Sequence, residues 1–278
     1  MKRDVAADAL EGLRGDSAMR MASKGHAVFA ATMIALGFLG LIQGDFALVW
    51  QDVPRDLPAR GALACLCALV SLACGIGLCW RRTAPAAARV LLLSLLVWML
   101  LGKLRFIVLD PFAEVSYQNW GEGAVVVAGA WVLYAWFAAG RDRRWLGFAT
   151  GERGVRIARV FYALAMVAFG LSHFAYLQLT APLVPGWLPW HVAWAYVTGS
   201  AYLAAGVAML IGTCVRLAAV LSALQMGLFT LLVWVPIVVA GHGASQWNEF
   251  VVSWTLTASA WVVADSCRDM AWFAVGRR

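Results

Sequence analysis

Apolar runs of bilayer length, set apart by short charged or Pro-containing segments, dominate the chain. A helix needs about 20 consecutive apolar residues to cross the hydrocarbon core. Eight such spans are read, roughly 27–50, 61–80, 89–109, 123–140, 157–180, 191–211, 215–239 and 249–265. A soluble helical bundle would need polar faces on most helices. With 63% hydrophobic and 13% charged residues, this chain has almost none. The expected class is an all-α, polytopic membrane protein with eight transmembrane helices.

The basic residues set an orientation through the positive-inside bias. With the N-terminus inside, 18 of the 22 Lys and Arg fall on inner segments, and the outer side keeps only Arg55, Arg60, Lys103 and Arg105. Both termini are then cytoplasmic. The net charge of +7 is spread between the spans, which argues against nucleic acid as a partner and for the lipid bilayer. Trp50, Trp120, Trp187, Trp190, Trp194 and Trp247 fall near expected outer ends, and Trp80, Trp136, Trp145 and Trp272 near inner ends, as interfacial indoles do. The polar first 25 residues do not read as a signal peptide. Six cysteines (Cys65, Cys67, Cys74, Cys79, Cys214, Cys267) form no CxxC pair and read as small buried side chains.

A shift of 131 positions overlays Val53, Pro54, Leu57 and Pro58 on Val184, Pro185, Leu188 and Pro189. The same shift puts Phe38 on Phe169, and Leu72, Ala73 and Gly75 on Leu203, Ala204 and Gly206. Arg89 reaches Arg216 only after removal of four residues, with Pro111 and Gln118 set against Pro236 and Gln246. The expectation is an internal duplication: two parallel four-helix repeats, since an even number of spans returns the chain to its starting side. The segments are a cytoplasmic tail 1–25, a first repeat 26–140, a basic linker 141–156, a second repeat 157–265 and a tail 266–278. Proline removes a donor and breaks a helix, so the V-P-x-x-L-P string should sit at the interface as an outer turn. It could also wall a shallow outer cavity. Gly199 with Gly206, Ala68 with Gly75, and Gly37 with Gly44 mark small-residue packing faces.

Gly170, His173, Phe174, the Val184–Pro189 string, Gly199 and Gly206 make the second half, about 165–240, resemble the DoxX family of small bacterial membrane proteins. The resemblance implies four-helix bundles in a bacterial inner membrane. It also implies a link to redox chemistry through a quinone or a membrane-associated redox partner. The motif's Glu position is Tyr202 here and Ser71 in the first half, and its His position is Ile42 in the first half.

Two groups of polar residues stand out against the apolar background. Asp45, Lys103, Arg105, Asp110 and Glu122 form a candidate outer polar cluster, for an anionic or quinone-like molecule. The competing reading is that the long basic stems snorkel to the interface. His173, Tyr176, Tyr202, His242 and Glu249 are the candidates for a second-half cavity. An ionisable group inside a span needs a partner or water. His26 reads as an interfacial cap. Haem b is disfavoured because His173 has no histidine mate at its depth, and no metal site is assigned. No Walker A, Rossmann glycine, HExxH or G-x-S-x-G string occurs, which points away from an enzyme acting alone. The leading expectation is an accessory subunit that binds a quinone- or lipid-like molecule and serves a redox partner. A structural scaffold and a small-molecule or ion transporter are the alternatives.

Overall fold

In the computed structural model, which describes residues 21–47, 49–54, 56–241 and 243–275, every regular element is helical. The long helices are α1 (Lys24–Gln43), α2 (Arg60–Leu78), α3 (Ala84–Leu109), α4 (Glu114–Phe137), α5 (Gly151–Ala175), α6 (His191–Ile211), α7 (Val215–Val239) and α8 (Ala244–Ser266). The first seven are long and apolar enough to cross a membrane. The chain is an all-α, polytopic membrane protein. Helix α8 is as long as the others but carries Ser253, Thr255, Thr257 and Ser259 in its middle. It can do so because its neighbours are protein. Thr255 and Ser259 are fully buried, and Thr255, Thr257 and Ser259 each donate to the carbonyl four residues back, which satisfies the hydroxyl within its own helix.

Helices α4 and α8 form the centre. In α4, 78% of the apolar window is buried, against 33% in α2, α3, α6 and α7, whose other faces are left for lipid. The two central helices meet where a Cβ on Gly129 would lie 3.1 Å from Ser259 Cα. Around them, α1 packs on α2 and α5 packs on α6 at glycine contacts. Gly37 abuts Leu72, and Gly75 abuts Ile34. Gly170 abuts Leu203, and Gly206 abuts Val167. Each contact leaves no room for a Cβ, so van der Waals packing between bare backbones holds these pairs. Helices α1 and α8 are tied at the basic end by the Gly25 N–H to Asp265 (2.8 Å) and midway by Trp254 Nε1 to Thr32 Oγ1 (3.1 Å).

The helix boundaries correct several expected spans. Helix α1 stops at Gln43, not 50, because Gly44 takes the left-handed conformation (φ 64°) and donates back to Gly40. Gly44 is therefore a terminator, with nothing near its Cβ position, and not a packing partner of Gly37. Helix α4 starts at Glu114, not 123, and α5 at Gly151, inside the expected linker 141–156. Polar residues in a first turn are solvated beyond the hydrocarbon, and Glu152 suits the positive end of the helix dipole. The linker keeps only a short helix, Arg141–Trp145, anchored by Arg89 to Asp142 at 3.1 Å. Trp50 does not reach an interface: it is 2% exposed. His26 is fully buried against Phe137, and its Nδ1 accepts the Ala22 N–H.

Element positions recur through the chain. α2 follows a left-handed Ala59 (φ 54°) and α6 a left-handed Trp190 (φ 58°). In α3 and α7, fifteen α-helical residues, Ala84–Trp98 and Val215–Phe229, lead into five-residue π-helical turns, Met99–Lys103 and Thr230–Trp234. All these pairs are 131 apart with no gap, so Arg89 stands opposite Val220 and not Arg216. Gln118, the fifth residue of α4, likewise stands nearer Asn248 than Gln246. In α1 and α5 the offset is 133. Gly37 and Gly170 make the same contact, and Gly40 at Ala68 matches His173 at Gly199. Ile42, 81% exposed, is not the counterpart of His173, nor is Phe38 (53%) that of Phe169 (8%).

Candidate functional site

The end of the bundle that carries the V-P-x-x-L-P strings holds most of the candidate groups. The two strings build different roofs. After α1 the chain turns inward. Phe46, Val49, Trp50 and Gln51 are all buried, the Gln51 side chain accepts the Ala47 N–H, and the Trp50 and Gln51 amides return to the Ala47 carbonyl. This tight turn can enter an apolar bundle because its polar backbone is paired internally. Gly102 on α3 lies against this turn: a Cβ there would lie 3.6 Å from the Trp50 carbonyl, an ordinary contact. The corresponding position on α7 is Val233, and the chain after α5 stays outside as helical turns Leu177–Thr180 and Ala181–Leu183, with Leu179 and Trp187 exposed.

The expected outer cluster does not form one unit. Asp45 pairs with Arg60 (2.7 Å), whose guanidinium also lies over the Phe46 ring. Arg105 approaches Asp52 at 4.0 Å and stacks on Phe106. Asp110 is exposed at the end of α3 and joins neither pair. Lys103 separates from all of these. It is 3% exposed, so its stem does not snorkel to lipid headgroups. Leu91, Leu95, Met99 and Lys103 share one inward stripe of α3, and the π-turn keeps Lys103 on it. Its Cγ would be 3.5 Å from a Cβ on Gly123, so the stem lies along α4 over that glycine. Glu122 on α4 lies within electrostatic reach of Lys103 and of Glu249 on α8. Among the described residues no ion pair within 4.0 Å involves Lys103, Glu122 or Glu249; the pairs at this end are Asp45–Arg60 and Asp52–Arg105.

The second-half candidates also divide. His173 faces α6, with its ring centre 5.6 Å from that of Tyr202 and its Nδ1 2.7 Å from the Phe169 carbonyl. Tyr202 is buried, and Gln225, whose amide donates to the Thr198 carbonyl, sits at its hydroxyl. Below them Tyr162 and Ser222 share a hydrogen bond of 2.9 Å. Tyr176 serves as the end of α5, where its amide closes on Ser172 and its carbonyl accepts from Thr180. Glu249 belongs with Glu122, and His242 lies outside the described residues. Among the described residues no group of three or more His, Cys, Asp or Glu side chains is placed to hold a metal ion.

Two hollows open at this end. One, of about 290 Å³, lies in the seam between α1, the inward turn and α8. Leu36, Leu39, Val49, Val251 and Val252 wall it, and Gln43, Asp45 and Asn248 bring polar groups. The seam between α5 and α4 is closed at the matching place, where Ser172 donates to Glu114 and Phe169 packs at Gly121. The second hollow, of about 280 Å³, is bounded by Leu183, Trp234, Ile237, Ser245, Gln246 and Glu249. Neither hollow touches His173. Sequence reading missed the α1–α8 seam: of its polar groups only Asp45 was a candidate, and Asn248 was passed over.

No protein-family profile, no curated protein and no solved structure matches this chain.

Proposed function

We propose that this protein is a bacterial inner-membrane subunit that holds an amphiphilic, quinone- or lipid-like molecule and supports a membrane-associated redox partner. The single observation that carries the binding role is the α1–α8 hollow, which has aliphatic walls and a polar side at the bilayer margin. Such a site suits a molecule with a hydrogen-bonding head and an apolar tail. The redox association rests on the resemblance of residues 165–240 to the DoxX family. In this reading the chain is two parallel four-helix copies. The paired π-turns and the paired left-handed residues before α2 and α6 support the duplication. A scaffold role is the second reading. It is favoured by the paired hydroxyls between α7 and α8, where Thr230 meets Ser253 and Thr257 in a satisfied, packing-type interface.

Mass spectrometry of an organic extract of the purified full-length chain tests the binding role. A quinone or defined lipid should co-purify, and Leu39→Trp, which fills the hollow, should reduce it several-fold. The lipid-facing control Leu221→Trp should not. Equal amounts in both variants would remove the seam as the binding site.

In this reading both termini are cytoplasmic. On a cysteine-free background, Phe112→Cys should react with a membrane-impermeant maleimide in intact spheroplasts, and Trp145→Cys only after lysis. These residues are 97% and 76% exposed at opposite ends. The reverse pattern would invert the topology.

A further inference from the structure

The second hollow has a chemical character that the α1–α8 seam lacks. Among the described residues its only charged wall group is Glu249, an exposed carboxylate on the first turns of α8. Trp234, the last residue of the α7 π-turn, lines the same hollow, with its ring braced edge-on by Phe229 (6.2 Å, 76°). Leu183 and Ile237 add apolar walls. Glu122 of α4 is within electrostatic reach of both Glu249 and Lys103. Lys103 is buried on the α3–α4 side, beside Gly123. Among the described residues no cationic side chain lies within 4.0 Å of Glu249.

We propose that this hollow binds a small organic cation, an ammonium group held between the Trp234 indole and the Glu249 carboxylate. An indole face attracts a cation through its quadrupole, and a carboxylate adds direct charge pairing. An anion is opposed by the Glu249 carboxylate. A bare metal ion is a poor fit, because one carboxylate cannot replace its hydration shell. A volume of about 280 Å³ with apolar walls suits an alkylated ammonium. Two sources offer that ammonium, a free molecule and a lipid headgroup, since the hollow opens at the bilayer margin.

Calorimetric titration of the full-length protein in phosphatidylglycerol nanodiscs with tetramethylammonium tests this. Saturable binding is expected, weakened about tenfold by Glu249→Gln and by Trp234→Leu. Asp110→Asn, which removes another exposed carboxylate at the same end, should leave it unchanged. Glu249 is exposed, so its variant should fold normally, and gel filtration of each variant checks this. Phosphatidylcholine nanodiscs separate the two sources. Weaker apparent binding there identifies a lipid headgroup as the occupant, and unchanged binding a free cation. Absence of saturable binding, or equal affinity in Glu249→Gln, overturns the proposal. The outcome is independent of the α1–α8 seam, which shares no residue with this hollow.

Discussion

Lys103→Met should lower the stability of the folded bundle by on the order of 3 kcal/mol, although it removes no more than a charged tip from a side chain of similar length. The reason is what it leaves behind. Lys103 is 3% exposed, and its ammonium is the positive charge that faces Glu122. Without it, the Glu249 charge acts on Glu122 unopposed, although Glu249 itself is exposed. Lys103 and Glu122 form no ion pair within 4.0 Å, so the single variant leaves a buried-side charge unbalanced, and neutralising Glu122 as well removes that imbalance. The double variant Lys103→Met/Glu122→Gln should therefore recover most of the loss. Arg105→Met should change little, because its guanidinium is partly exposed and its 4.0 Å approach to Asp52 is a surface pair. Thermal unfolding in detergent, followed by loss of monodisperse protein, would read all four proteins. Equal losses for the single and double variants would mean that Lys103 acts through packing alone.

Gly206→Leu should be strongly destabilising. Its Cβ would lie 2.7 Å from the Ala163 carbonyl and 3.0 Å from the Val167 amide, so α5 and α6 must separate along their whole contact. Backbone atoms cannot rotate away as side chains do, and the cost should exceed the roughly 1–3 kcal/mol of ordinary core overpacking. Gly75→Leu meets Ile34 and the Ala30 carbonyl in the corresponding place between α1 and α2, and should lose a similar amount. Gly61→Leu, with nothing near its Cβ, is the control. Folded yield and melting temperature of the three variants provide the measurement. If Gly75→Leu were tolerated while Gly206→Leu was not, the two helix pairs would not be energetically equivalent, and the duplicated-unit reading would lose its packing argument.

Several features of the site were legible in the sequence and were read past. Leu91, Leu95, Met99 and Lys103 stand four apart, which is enough to place the lysine on the inward face. A snorkelling stem would instead need a lipid-facing position. Other features were not there to be read. Nothing local in α8 ties Glu249 to Glu122, and Asp45 finds Arg60, not a basic residue of α3, only because α1 ends early at Gly44. The open α1–α8 seam and the closed α4–α5 seam differ by which residues happen to face one another across them.

By itself the sequence determined the class of structure: apolar runs in a medium without water must become helices, and their lengths and basic flanks follow from bilayer thickness and charge. The span limits of α6 and α7 are correct to the residue. The tertiary structure alone decided which charges share a pocket and which turn folds inward. Helix formation is driven by bonds between residues four apart, whereas the grouping of Lys103, Glu122 and Glu249 depends on how closely three separate helices approach, as where Gly123 of α4 lets the Lys103 stem lie against it.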